Sequence, residues 1–145
     1  RALTTDAWKN ATVHAQNALT LDPTLVEAYS ALADLARIDG RWDDARRLYL
    51  QGLEIDPRDV TLNLWYSEYL QDVGQLEKAL AQNQYVLELD LLSPGANTNL
   101  VGGYLALGDC KAMEAPARRA VALGHDFGYF GPILCAVSEQ RWKDA

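Results

Sequence analysis

Apolar and turn-forming residues recur along the chain at a fixed step of 34 residues. Two apolar columns keep this step, and so do one column each of glycine, aspartate, alanine and tryptophan. The columns are Leu19, Leu53, Leu87 and Val121; Leu21, Ile55, Leu89 and Leu123; Gly40, Gly74 and Gly108; Asp22, Asp56 and Asp90; Ala11, Ala45 and Ala79; and Trp8 and Trp42. Six columns that share one period indicate an internal structural repeat.

Within each period the apolar spacing and the turn residues predict two helices. The glycine column falls where a left-handed residue ends a first helix at little cost. Pro57 follows a second helix, which it cannot continue. The predicted helices cover residues 6–21, 26–38, 42–55, 60–72, 76–90, 96–107, 110–123 and 128–138.

Two places break the pattern. Pro116 falls inside a predicted helix, where proline costs about 3 kcal/mol, so we expect a kink or a late helix start. The segment 124–132 is rich in glycine and aromatic residues. We expect an irregular start of the last helix there.

The period and its residues resemble the tetratricopeptide repeat (TPR). The resemblance implies an all-α fold, a right-handed solenoid of antiparallel helix pairs. It divides the chain into a half repeat (1–25), two repeats (26–59 and 60–93), a divergent repeat (94–125) and a truncated repeat (126–145). The residues that carry it in the first full repeat are Tyr29, Leu32, Ala33, Ala36, Gly40, Ala45, Tyr49 and Pro57.

Later repeats depart from the family pattern. Asn83 replaces the aromatic residue and Leu91 the proline of the second full repeat. In the truncated repeat, Trp142 and Ala145 match Trp42 and Ala45 after a two-residue deletion. Because the array begins and ends within a repeat, we expect its open faces to meet further repeats or another copy, which makes a homo-oligomer plausible.

The net charge of −7 argues against binding of nucleic acid through a basic surface. No apolar run approaches the roughly 20 residues of a membrane-spanning helix. The negative charge is uneven: residues 26–59 carry −3, residues 60–93 carry −4 and residues 94–125 carry +1.

The two cysteines, Cys110 and Cys135, are 25 residues apart, a spacing that matches no metal-binding pattern. We expect free, buried thiols rather than a disulfide. Free thiols favour a reducing compartment, and hence the cytoplasm.

No motif for catalysis or cofactor binding occurs. The sequence has no phosphate-binding glycine loop and no dinucleotide fingerprint. His14 and His125 have no triad or metal-protease context. Asp43 and Asp44 lie in the first turn of a helix, where acids offset the helix dipole. We therefore expect no enzyme activity, no cofactor and no metal.

The TPR resemblance also implies a concave groove, lined by the first helices of successive repeats, that binds a peptide or a partner protein. The family's register places these residues in it: Glu27, Ser30, Asp34, Arg37, Leu64, Trp65, Glu68, Gln71, Asp72, Thr98, Asn99 and Phe130. TPR arrays that grip the acidic C-termini of chaperones need several lysines and arginines there. This groove has Arg37 among acids, so such a ligand is not expected.

The sequence therefore predicts a non-catalytic protein-interaction scaffold. We expect a basic or apolar segment of a partner protein, with Trp65 as its anchor, since aromatic residues dominate binding hot spots. The alternative for Trp65 is packing against a neighbouring repeat, with the acids merely solvated.

A second functional alternative is a regulatory or sensory module. The runs 65–70 (Trp-Tyr-Ser-Glu-Tyr-Leu) and 89–94 (Leu-Asp-Leu-Leu-Ser-Pro) resemble TPR arrays of bacterial winged-helix regulators and adenylate cyclases. Leu91 departs from that pattern.

Overall fold

The computed structural model describes the backbone of residues 2–143 and the side chains of residues 6–137. These residues form eight α-helices and no strand. The helices are α1 (Ala2–Leu21), α2 (Val26–Ile38), α3 (Trp42–Ile55), α4 (Val60–Asp72), α5 (Leu76–Leu89), α6 (Pro94–Leu107), α7 (Cys110–Ala122) and α8 (Phe127–Lys143). The all-α prediction is confirmed, and the predicted ends of α2 to α7 lie within two residues of those observed. The side chains of Trp142 and Ala145 lie outside the described residues.

The helices fall into two compact units, Arg1–Val73 and Gly74–Ala145. In the first unit, α2 packs against α1, α3 and α4, and α3 also packs against α4. In the second unit, α6 packs against α5, α7 and α8, and α7 also packs against α8. Each unit therefore builds its interior from helices that are close in sequence.

The glycine column ends the first helix of each pair. Gly40, Gly74 and Gly108 have φ values of 73°, 76° and 71°, in the left-handed region that side chains disfavour. This confirms the role that the sequence predicts for them. Gly124, outside the column, has φ 84° and follows α7 in the same way.

The aspartate column closes the turns that follow α1, α3 and α5. In each turn the Oδ1 atom accepts a hydrogen bond from the backbone N–H two residues further on, which is an Asx turn. The pairs are Asp22 with Thr24 (2.9 Å), Asp56 with Arg58 (2.8 Å) and Asp90 with Leu92 (3.0 Å). The same turn, used three times, explains why aspartate keeps the 34-residue step.

A further polar column, not recognised in the sequence, ties each of α2, α4 and α6 to the turn before it. Its members are 34 residues apart, and each side chain donates a hydrogen bond to a backbone carbonyl of the preceding turn. The bonds run from Tyr29 Oη to Pro23 O (3.2 Å), from Asn63 Nδ2 to Pro57 O (3.0 Å) and from Asn97 Nδ2 to Ser93 O (2.9 Å). Tyrosine and asparagine, although different in size, thus form the same kind of hydrogen bond at this position.

Small residues lie where the helices of each unit approach. Ala45 and Ala79 are fully buried, as the repeat pattern predicts. A Cβ added at Gly52 of α3 would lie 2.8 Å from Leu62 Cδ2, and one at Gly103 of α6 would lie 2.6 Å from Leu80 Cδ2. At these two glycines a side chain would therefore fit only if the facing leucine moved.

The proline in α7 does not delay the helix. α7 begins at Cys110, and Pro116 is buried inside it, so the expected late start is wrong. Asp109 explains the early start, because its Oδ1 accepts a hydrogen bond from Ala112 N (2.9 Å) and caps the helix. A kink at Pro116 stays a prediction. α8 begins at Phe127, inside the segment where an irregular start was expected, with Pro132 within the helix.

The prediction of free thiols is wrong. Cys110 and Cys135 form a disulfide, with their Cα atoms 5.8 Å apart. The bond joins the first residue of α7 to α8, which packs against it. Because disulfides are rare in reducing compartments, the argument for a reducing compartment loses its basis.

The adjacent glycines of α6 provide a test of the close approach. Gly103→Ala should destabilise the chain by about 1–3 kcal/mol, because its methyl group overlaps Leu80. Gly102→Ala should stabilise it by up to about 1 kcal/mol, because the nearest atom to its Cβ is Phe127 Cε1 at 4.0 Å and alanine favours helix. Urea unfolding measures both. Equal stabilities of the two variants would contradict the packing of α5 against α6.

Candidate functional site

The residues predicted to line a groove fall in both compact units. Nine of the twelve lie on α2 and α4 of the first unit. The other three, Thr98, Asn99 and Phe130, lie on α6 and α8 of the second unit. The two groups are described separately.

Four of the predicted residues meet in one ion-pair cluster between α2 and α4, here called the Arg37 cluster (Asp34, Arg37, Glu68 and Asp72). Arg37 Nε donates to Asp34 Oδ1 at 2.9 Å on its own helix. Its Nη1 donates to Asp72 Oδ2 at 2.6 Å, and its Nη2 to Glu68 Oε2 at 3.3 Å. One guanidinium thus connects two helices through three carboxylates.

The cluster has a net charge of −2, and its guanidinium is the less accessible part. The Arg37 side chain is 18% exposed, whereas those of Glu68 and Asp72 are 34% and 41% exposed. Relative to their size, the two acids of α4 are therefore more exposed than the arginine. Such a surface favours cationic groups of a ligand and repels anionic ones.

Arg37 stays charged in this setting. Burial by itself lowers the pKa of Arg37, but hydrogen bonds to Asp72 and Asp34 outweigh burial and raise the pKa overall. The arginine is held by its own chain. It is consequently a poor binding group for the carboxylates of a ligand.

Three tyrosines pack together where α3 meets α4. The ring centroids of Tyr49 and Tyr66, and of Tyr49 and Tyr69, are each 5.7 Å apart in tilted pairs. Tyr66 and Tyr69 stack at 5.9 Å. These separations lie in the range of favourable aromatic contacts, so the tyrosines stabilise the position of α4.

Tyr49 also lies near the Arg37 cluster. Burial is the main reason why the pKa of Tyr49 is raised, and the charge of Asp34 raises it further, while Arg37 acts in the opposite direction. The Tyr49 Oη atom is buried and forms no hydrogen bond of good geometry with any described residue. The phenol therefore stays neutral.

Other predicted residues of the first unit differ in accessibility. Glu27 is exposed, and Leu64 and Gln71 are partly buried. Ser30 is 3% exposed, and its hydroxyl donates to Val26 O of the same helix at 3.0 Å. Its place in a ligand-binding groove stays a prediction. Trp65 is partly buried rather than exposed.

The predicted residues of the second unit lie on two helices, α6 and α8. Thr98 Oγ1 donates to Pro94 O at 2.8 Å, and Asn99 Nδ2 donates to Asn83 Oδ1 at 3.4 Å. Both polar groups are thus engaged within their unit. Phe130 is 58% exposed on α8.

The Arg37 cluster had a signal in the sequence that the groove prediction did not use. Asp34 and Glu68 are 34 residues apart and occupy the same column of the repeat. An arginine three residues after the first acid lies near both acids when consecutive repeats pack. The cluster could thus have been predicted from the period.

A second feature, absent from the predicted set, is an apolar cavity of about 590 Å³ between α7 and α8. It is lined by Glu114, Ala117, Arg118, Val121, Gly128, Tyr129, Pro132 and Ile133. It depends on how the glycines of α8 pack, which the repeat pattern does not specify.

Among the described residues, no group of three or more His, Cys, Asp or Glu side chains is placed to hold a metal ion. None of the described helices is both long enough and apolar enough to cross a membrane.

Residues 26–59 match a family model described as tetratricopeptide repeat. This segment is a TPR. It contains α2, α3 and two members of the Arg37 cluster, Asp34 and Arg37. A comparison with curated proteins found no match.

Solved structures support the TPR fold for a larger part of the chain. The crystal structure of MamA protein is 25% identical, with a TM-score of 0.71 over 79% of this chain. This chain spans 63% of that MamA chain. Pseudomonas aeruginosa pilF has a TM-score of 0.84 at 19% identity, over 97% of this chain and 65% of its own. The first TPR of Spaghetti (RPAP3), bound to the HSP90 peptide SRMEEVD, has a TM-score of 0.73 at 13% identity, over 79% of this chain and 93% of its own.

Removal of Arg37 tests how much the cluster stabilises the TPR. Arg37→Ala should lower the free energy of unfolding by about 1–3 kcal/mol, because it leaves partly buried carboxylates without their cation. The matched control is Arg47→Ala, which removes an ion pair with Asp44 within α3 at 3.0 Å, from a side chain that is 58% exposed. That change should cost less than about 0.5 kcal/mol. Both free energies of unfolding are measured with urea. If the two variants lose similar amounts, the cluster stabilises the protein no more than an exposed ion pair does.

Proposed function

We propose that this chain is a non-catalytic scaffold whose first unit binds a basic or apolar segment of a partner protein along α2 and α4. In this proposal α2 and α4 are the first helices of consecutive repeats, 26–59 and 60–93. The observation that carries the proposal is the excess of carboxylates in the Arg37 cluster, whose one cation is bound internally.

Trp65 lies on the same helix as the more accessible acids. It precedes Glu68 by three residues and Asp72 by seven, so the three side chains follow one face of α4. A lysine or arginine of the ligand would meet the carboxylates, and an apolar or cationic neighbour would meet the indole ring. The remaining accessibility of Trp65 supports a contact of limited area.

An acidic peptide such as the one in the RPAP3 structure does not fit the proposed preference. Its peptide, SRMEEVD, contains three acidic residues and one basic residue. The Arg37 cluster presents acids, and like charges across an interface are unfavourable. We propose that this chain does not bind such a peptide.

The proposed compartment differs from the one that the cysteines first suggested. The disulfide between Cys110 and Cys135 favours an oxidising compartment over the cytoplasm. The regulatory alternative rests on the sequence runs 65–70 and 89–94 alone, and no contact among the described residues 6–137 favours it.

A peptide array tests the charge preference. Immobilised 12-residue peptides of graded charge and apolar content, with SRMEEVD as the acidic reference, are probed with the labelled chain. We expect binding to basic, apolar peptides that weakens as salt is raised, because exposed charges are screened. Preferential binding of acidic peptides would refute the proposal.

Neutralising the cluster should weaken the interaction. For the best peptide of the array, Glu68→Gln with Asp72→Asn should raise the Kd about tenfold in fluorescence anisotropy, because two attractive charges are lost. The amides keep an oxygen to accept from Arg37. The control, Glu54→Gln with Asp43→Asn on α3, changes the net charge equally and should leave the Kd within about twofold. If the two double variants raised the Kd equally, the preference for basic peptides would come from the overall charge of the protein and not from the cluster.

Trp65→Ala tests the anchor separately. We expect the Kd for the same peptide to rise at least about tenfold, because the aromatic contact is removed. Circular dichroism must show unchanged helicity for the comparison to hold. Unchanged binding with unchanged helicity would mean that Trp65 packs within the protein and is not an anchor.

A further inference from the structure

The last helix of the second unit contacts its neighbours through its smallest residues. Gly128, Gly131 and Cys135, spaced three and four residues apart, are the buried positions of α8 between residues 127 and 137. The large apolar side chains of the same stretch are each between 43% and 58% exposed: Phe127, Tyr129, Phe130, Ile133, Leu134 and Val137. Between residues 127 and 137, the large apolar side chains of α8 are therefore only about half buried against the unit.

The two glycines bring the α8 backbone into close contact with the unit. A Cβ added at Gly128 would lie 2.5 Å from Ala117 O, and one at Gly131 would lie 2.6 Å from both Met113 Sδ and Val101 Cγ1. A glycine has no side chain to bury. Hydrophobic stabilisation scales with the apolar area removed from water, so these contacts, although close, contribute little hydrophobic stabilisation.

The disulfide lies on the same narrow face. Cys135 is 5% exposed and packs in a cluster with Val101, Met113 and Ala117. Its partner Cys110 is the first residue of α7, 25 residues away in sequence, and is partly accessible. Apart from the chain itself, this bond is the covalent link between α8 and the rest of the described unit.

We propose that the Cys110–Cys135 disulfide is the principal tether of α8, so that reduction of this bond releases α8 from α6 and α7. A dithiol reductant gives two electrons and two protons to the disulfide. The S–S bond breaks, Cys110 and Cys135 become thiols, and the reductant closes to its own disulfide. A thiolate can reach the bond through the accessible Cys110 side.

Release of α8 changes the surface of the second unit. Val101 and Met113, the apolar side chains that Gly131 covers, become accessible to solvent. The rest of the cluster, around Ala117, becomes accessible as well. The position of α8 then depends on the redox state of its surroundings. The first unit contains no cysteine, so the reductant has no bond to break there.

Amide hydrogen exchange with mass spectrometry tests the tether. Peptides covering residues 128–137 should exchange slowly in the oxidised chain and roughly a hundredfold faster after dithiothreitol, the scale expected for a crosslink that closes a loop of this length. Peptides from α2 and α3 should exchange at the same rate in both states.

A cysteine variant separates loss of the bond from loss of packing. Cys110→Ser removes the disulfide but leaves Cys135 in its cluster, so without reductant its α8 should exchange as fast as that of the reduced chain. Dithiothreitol should then cause no further change. Equal α8 exchange in the oxidised and reduced chains would overturn the proposal. Acceleration as large in α6 and α7 as in α8 would also overturn it, because the bond would then support the whole unit.

Discussion

The close approach of helices at small residues is the constraint on which both units depend. Gly52 allows α3 to meet Leu62 of α4, and Gly103 allows α6 to meet Leu80 of α5. At this separation a side chain on one helix can reach a side chain on the helix that is two further along the chain. Arg37 of α2 can therefore bind Glu68 and Asp72 of α4, and the candidate site is a consequence of the packing distance.

Much of the fold follows from the sequence because its determinants are local and repeated. The Asx turns at Asp22, Asp56 and Asp90 and the left-handed glycines act over a few residues, and each occurs at a 34-residue step. Local determinants of this kind are visible in a single sequence. The helix ends were accordingly predictable to within two residues for α2 to α7.

The features that the sequence did not reveal depend on which surfaces meet. The disulfide needs α8 to pack against the start of α7, and a spacing of 25 residues carries no information about that. The register that places Ser30 in the groove carries no information about the hydrogen bond from its hydroxyl to Val26 O. The partners of Arg37 are an intermediate case. The 34-residue step that relates Asp34 to Glu68 is visible in the sequence, but the geometry of the three contacts with Arg37 is not.

The functional account rests on the balance of charge in the Arg37 cluster. Its arginine is bound by three carboxylates, Glu68 and Asp72 are more exposed than the arginine, and Trp65 follows the same face of α4. A TPR fold supports many ligands, so the chemistry of this face, and not the fold, points to a basic or apolar partner.

The most direct test of this account is chemical-shift mapping by NMR during titration with a basic, apolar peptide. The account predicts the largest shifts at the amides of Asp34, Arg37, Glu68 and Asp72, at the Arg37 Nε–H and at the Trp65 indole N–H. Shifts confined to the second unit, with α2 and α4 unchanged, would contradict it.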